Sequence, residues 1–185
     1  MSNICKEVRE FFEQNKEVEY QAFSAKLIPN IEPDSIAGVR IPAIRTLAKN
    51  LSKRTDINLF LKDLPHKYHE ENVLHIILIN SIKDFDQAIE AIDSFLPYIT
   101  NWAVSDTLAP KCFSKNISKI KTHANRWIES GKDYHIRVGV LLYMKFCLKE
   151  EFDKSDLTVI ASITSNEYYV NMMRAWYFAT ALATS

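Results

Sequence analysis

Glycine is nearly absent from this chain of 185 residues, which holds three. None sits in a G-x-G-x-x-G or Walker sequence, so folds that cradle nucleotide phosphates in a glycine-rich loop are excluded. Cysteine is scarce as well. Cys5, Cys112 and Cys147 lie far apart without paired spacing, which excludes a disulfide framework and predicts reduced thiols and a cytoplasmic location. No apolar run approaches the length of a membrane span. The N-terminal MSNICKEVREFF carries charges where a signal peptide is apolar. His66 and His69 have some ligand chemistry, but there is no H-E-x-x-H and no paired Cys set, so neither a metal nor another cofactor is expected. No Ser or Cys occupies a G-x-S-x-G elbow, which disfavours an acyl-transfer nucleophile. The alternation and hairpin turns that mark β-strands are missing.

An excess of charge is also lacking. The formal net charge is zero, which counts against indiscriminate nucleic-acid binding. The charge is unevenly spread, however. Residues 1–100 carry 12 Lys+Arg and 15 Asp+Glu, residues 101–149 carry 9 and 3, and residues 150–185 carry 2 and 5. The basic middle reads either as a solvated helix surface or as a local anion-binding face.

What is present is helical periodicity, with an apolar fraction of 47% that suffices for a continuous core. Helices are expected over 3–14 and about 18–27, with a break at Pro29 and Pro33. Gly38 and Pro42 frame another start, with Ile44, Leu47, Ala48 and Leu51 on its buried stripe. Asp56 is expected to cap a short helix to Leu64. Further helices are expected over 69–81, 84–96, 101–108, 114–130, from Asp133, over 155–163 and from Glu167. Second helices of successive pairs open on Glu70, Asn101, Asp133 and Glu167, roughly 31–34 residues apart. That is the period of stacked helix pairs. The expected fold class is all-α, an α-α superhelix (solenoid) of HEAT-like repeats, forming one domain over residues 1–185.

One stretch stands out: NWAVSDTLAPK, Asn101 to Lys111. On a helix, Trp102 and Asp106 lie on one face, one turn apart. An indole face can hold a cation, and a carboxylate can stabilise developing positive charge. Taken alone, the segment favours Trp102 as core and Asp106 as a cap or ion-pair partner. Arg137, inside the apolar run IRVGVLLYM, is either a buried ion-pair partner or a phosphate clamp. Trp176 lies among apolar neighbours, where core packing is the default, and Tyr168 and Tyr169 beside it are core, rim or stacking groups. Arg40 and Arg45, at the start of the third helix, reach phosphate or merely solvent. Trp102, Asp106, Arg137 and Trp176 all fall on second helices, which in a solenoid would line one concave face.

Four blocks carry a resemblance that covers most of the chain. They are YQAFSAKLIPN with GVRIPAIRTLAK, NWAVSDTLAPK, HIRVGVLLYMKF and EYYVNMMRAWYFATAL. In order and spacing they resemble the HEAT-like-repeat DNA glycosylases of the bacterial AlkD type, the DNA alkylation repair enzymes. The resemblance implies a monofunctional glycosylase that excises cationic N3- or N7-alkylpurines from double-stranded DNA, without a metal and without flipping the base into a pocket. It implies that Asp106 is the essential carboxylate, that Trp102 contacts the damaged nucleotide, that Trp176 forms another wall and that Arg137 contacts phosphate. Lys111 and Lys115, with Arg40 and Arg45, are expected on the DNA backbone. A monomer is expected. Relative to typical members the chain is expected to be truncated at its C-terminus, and Arg174 stands where an apolar residue belongs. Two other readings remain: a non-catalytic binder of damaged or branched DNA, and a HEAT-repeat protein-interaction scaffold.

Overall fold

The computed structural model describes residues 2–148 and 152–184. In chain order the helices are α1 (Asn3–Asn15), α2 (Val18–Leu27), α3 (Ile41–Leu51), α4 (Ile57–Leu61), α5 (His69–Ile79), α6 (Phe85–Phe95), α7 (Trp102–Ser105), α8 (Ile117–Glu129), α9 (Asp133–Phe146), α10 (Lys154–Ser162) and α11 (Tyr168–Thr184). Short 3-10 turns lie at Pro33–Ser35, Leu96–Tyr98 and Lys111–Lys115. Among the described residues there is no strand, so the protein is all-α, as the periodicity predicts. No described helix is long and apolar enough to cross a membrane. The chain divides into two compact units. One runs up to Ser81 and includes Pro97–Thr107; the other takes Ile82–Leu96 and everything from Leu108 onward.

In the first unit α5 is the central element and packs against α3 and α7, while α1 packs against α4. Val73, Leu74, Ile76, Leu78 and Ile79 of α5 are buried. Each such side chain stabilises by about 1.5–3 kcal/mol relative to exposure. On α3 the expected stripe is present: Ile44, Ala48 and Leu51 are buried and Leu47 half-buried. Pro42 sits in the first turn of α3, where its missing N–H leaves nothing unsatisfied. Gly38 has φ +81°, and a Cβ there would lie 2.6 Å from the Glu17 carbonyl oxygen. Both facts demand glycine at this turn.

The turn is locked by a buried carboxylate. Glu70, 3% exposed, accepts from Ala37 N (2.8 Å) on one oxygen, and from Gly38 N (2.8 Å) and Val39 N (3.3 Å) on the other. The polar residue that marks the start of the second helix therefore has a specific task. It holds the strap leading into α3.

In the second unit α9 packs against both α8 and α11. Gly139 allows the first contact, because a Cβ there would sit 2.7 Å from Ala124 O and from Ile128 Cγ1. Ile136, Val138, Val140, Leu141 and Leu142 bury the helix all round. Asp84 caps α6 by accepting from Gln87 N (2.9 Å), and Gly131, φ +69°, follows α8. Arg174, unexpected in an apolar block, donates to Ile160 O (3.2 Å) and Ala161 O (3.1 Å) and to Asn171 Oδ1 (2.9 Å). It thus satisfies the last carbonyls of α10.

Three local expectations are corrected. Asp56 stands at the N-cap of α4, but its side chain makes no cap bond and pairs with Arg54 at 2.8 and 2.7 Å instead, and the helix ends at Leu61 rather than Leu64. The 114–130 helix starts at Ile117, after a 3-10 turn and Asn116. The helix expected over 101–108 is a single turn, Trp102–Ser105, with Asp106 at its C-cap. The next bond, from Thr107 N to Val104 O at 3.2 Å, is of the tighter i to i+3 kind, and the helix ends there.

Candidate functional site: an aromatic and acidic concavity

The first unit holds a concavity of about 330 Å³. α2 contributes Tyr20, Ser24 and Leu27, α3 Ile41 and Arg45, and α5 His69 and Val73. The α7 segment contributes Trp102, Ala103, Asp106 and Thr107. Although α7 is short, the i to i+4 relation survives, because Asp106 N bonds to Trp102 O at 2.9 Å. The two side chains singled out by spacing therefore line the same hollow, and both are half-buried.

This segment is fastened at several points. Asn101, 1% exposed, caps α7 by accepting from Val104 N at 3.1 Å. Asn30 Nδ2 donates to Thr100 O (2.6 Å) and Asn80 Nδ2 to Thr107 O (2.8 Å). The Trp102 indole N–H donates to Leu27 O at 3.2 Å. Ser105 Oγ lies 3.0 Å from one oxygen of Asp106 and 3.1 Å from Trp102 O, and its hydroxyl donates within this pair of acceptors.

The two arginines at the start of α3 divide. Arg45 is exposed and lines the concavity. Arg40 is gripped by both oxygens of Glu17 at 2.9–3.0 Å and lies 4.7 Å over the Tyr20 ring. The remaining expected site residues belong to the second unit. Arg137 is 1% exposed and donates from Nη1 to Tyr169 O, so its guanidinium sits within the α9–α11 packing. Trp176 is 47% exposed on α11, against the core packing that its neighbours suggest. Tyr168 is exposed and Tyr169 half-buried. Lys111 and Lys115 are exposed on their 3-10 turn.

The family model described as DNA alkylation repair enzyme matches residues 4–178. The chain belongs to the DNA alkylation repair enzyme family. No curated protein compared with the chain matches it. Family membership assigns the chain a role in DNA alkylation repair, with DNA as the implied substrate. The match runs from α1 into α11, so in this alkylation repair protein it takes in the concavity and the α9–α11 packing alike.

Tyr20 and His69 were missed by sequence reasoning. Tyr20 carries a readable signal, since Ser24 and Leu27 follow it at i+4 and i+7 and all three line the hollow. His69 also carries one: it precedes Asn101 by 32 residues, one repeat period. The structure pairs it with Asn101 rather than with His66. His66 instead meets His75, Nε2 to Nδ1 at 2.9 Å, against the Phe60 ring. Burial pushes His66 down to about 4 and His75 to about 3. Among the described residues no group of three or more His, Cys, Asp or Glu side chains is placed to hold a metal.

Chemically, the concavity offers flat π-surface from Trp102 and Tyr20, one carboxylate and one exposed guanidinium. That set suits a flat cation attached to an anionic backbone.

Proposed function

We propose that the protein is a monofunctional DNA glycosylase that hydrolyses the N-glycosidic bond of cationic N3- or N7-alkylpurines in duplex DNA. The observation that carries this is the shared wall of Trp102 and Asp106 in the family-matched concavity. Alkylation makes the purine a cationic leaving group. When the bond breaks, its electron pair leaves with the base, which departs neutral, and positive charge builds on the deoxyribose. Asp106 stabilises that charge and orients a water whose oxygen adds to the sugar carbon and whose proton is lost to solvent. Trp102 faces the cationic nucleotide, a contact worth about 0.5–2 kcal/mol. A glycosylase lowers its barrier by about 8 kcal/mol or more, so the lability of the lesion supplies much of the difference.

In this reading Arg45, on the rim of the concavity, contacts the DNA backbone, and in the second unit Lys111 and Lys115 contact backbone while Trp176 offers an exposed aromatic face to DNA. Release of N7-methylguanine from methylated duplex DNA is the test. Asp106→Asn is expected to slow release by about 10²–10³-fold, the loss typical of removing one electrostatic stabiliser. Unchanged release by that variant refutes the mechanism. Salt-sensitive duplex binding with no base release favours a non-catalytic binder instead.

A further inference from the structure

We propose that His69 is a positioning residue of this site: through Asn101 it fixes the turn that carries Trp102 and Asp106, and it does so as a neutral ring protonated on Nε2. Its part in excision rests on the glycosylase reading; its tautomer does not.

The assignment follows from the hydrogen bonds around Asn101. The side-chain oxygen of that buried residue is committed to Val104 N–H. Its NH2 group is therefore the end that lies 3.4 Å from His69 Nδ1. An amide nitrogen only donates, so Nδ1 must offer its lone pair. A neutral imidazole with a bare Nδ1 carries its proton on Nε2. Turning the amide over would set two donors against each other at Val104 and strand the cap in a buried place.

Protonated His69 would meet the same conflict, with Nδ1–H pointing at NH2. Four groups bear on its charge. Glu70, its neighbour on α5, favours the cation, but its oxygens are engaged by Ala37, Gly38 and Val39. Asp106 of the α7 segment, Arg45 of α3 and Tyr20 of α2 line the same hollow. Burial outweighs the pull of Glu70 and holds the ring below the usual histidine range. Neutrality matters for the chemistry. Arg45 already sets one positive charge in the hollow with Asp106, and a second one on His69 would further weaken the negative field that the carboxylate directs at a cationic sugar.

The contact is tested by imidazole nitrogen NMR on the intact protein at pH 7, with His69 assigned by its loss in His69→Gln. Asn101→Asp is the informative variant. It keeps a capping oxygen, and Asp caps as well as Asn, but it replaces the donor facing His69 with an acceptor. The expected result is a bare Nδ1 and a protonated Nε2 in the wild type, changing to a protonated Nδ1 in Asn101→Asp. A wild-type ring that is cationic or protonated on Nδ1, or an unchanged tautomer in the variant, overturns the proposal.

Positioning has its own readouts. The Trp102 indole N–H signal should shift in His69→Leu and stay near its wild-type place in His69→Gln, whose oxygen can accept from Asn101. In base release, His69→Leu should lose at least about tenfold in kcat with KM little changed, and His69→Gln should recover at least about threefold of that loss. Equal indole shifts in both variants overturn the positioning role. A wild-type protein that releases no base, yet shows the expected imidazole and indole signals, sinks the glycosylase reading alone.

Discussion

Replacing Glu70 by alanine should be the most damaging single change to the first unit that touches no wall of the concavity. Three buried backbone N–H groups, at Ala37, Gly38 and Val39, would lose their acceptor together. A buried donor without a partner costs about 1–3 kcal/mol, so the set of three is expected to cost on the order of 3–9 kcal/mol. Set against a typical total of about 5–15 kcal/mol, that is a large share. For a chain of this length, each kcal/mol lowers Tm by about 2–4 °C, so melting should fall by about 6–36 °C. Glu70→Gln keeps one acceptor oxygen and turns an NH2 toward the other donors; about half the loss is expected. Thermal melting followed by circular dichroism gives the total. Amide exchange at Ala37, Gly38 and Val39 locates it, since these protons should become the fastest in the strap. A Glu70→Ala protein that melts within about 2 °C of the wild type refutes the reasoning.

Gly139→Ala should destabilise by about 1–3 kcal/mol, because its Cβ would lie 2.7 Å from the Ala124 carbonyl oxygen; calorimetry checks this, and an unchanged Tm counts against the close α8–α9 approach. Arg174→Leu should lose about 1–3 kcal/mol by freeing the terminal carbonyls of α10; urea unfolding and faster exchange at the end of α10 measure it. The folded-state pKa values of His66 and His75 lie below the ordinary histidine value, at about 4 and about 3. The unfolded chain then takes up protons that the folded chain refuses. The pair's contribution is complete above about pH 6.5 and is lost as pH falls, toward about 4 for His66 and about 3 for His75, at up to about 1.4 kcal/mol per pH unit for each ring. A urea midpoint that does not move between pH 7 and pH 5 refutes this.

The helices were largely legible because their signals are local. Asp84 before α6, Pro42 in α3 and Gly131 after α8 each act within a turn of the boundary that they set. Trp102 and Asp106 were legible for the same reason, being one turn apart. What escaped the sequence was non-local. Tyr20 and His69 reach the hollow only because α2 and α5 fold beside α7. Asp56 looked like a cap, yet the arginine two residues before it competes for its carboxylate. Arg174 looked misplaced in an apolar block until its acceptors, on a neighbouring helix, came into view. For Arg137 the apolar run around it already contained the answer about burial, but not which carbonyl would receive it.

The indole of Trp102 has its lone N–H tied to the carbonyl of Leu27. A tethered ring of this kind cannot swing to meet a visitor, and it has no remaining polar edge with which to distinguish one heterocycle from another. Whatever lies against it is felt through flatness and charge. Under the proposed function, a wall built in this way would tolerate substituents of differing size and shape on a cationic ring and would discriminate against the uncharged ring that lacks them.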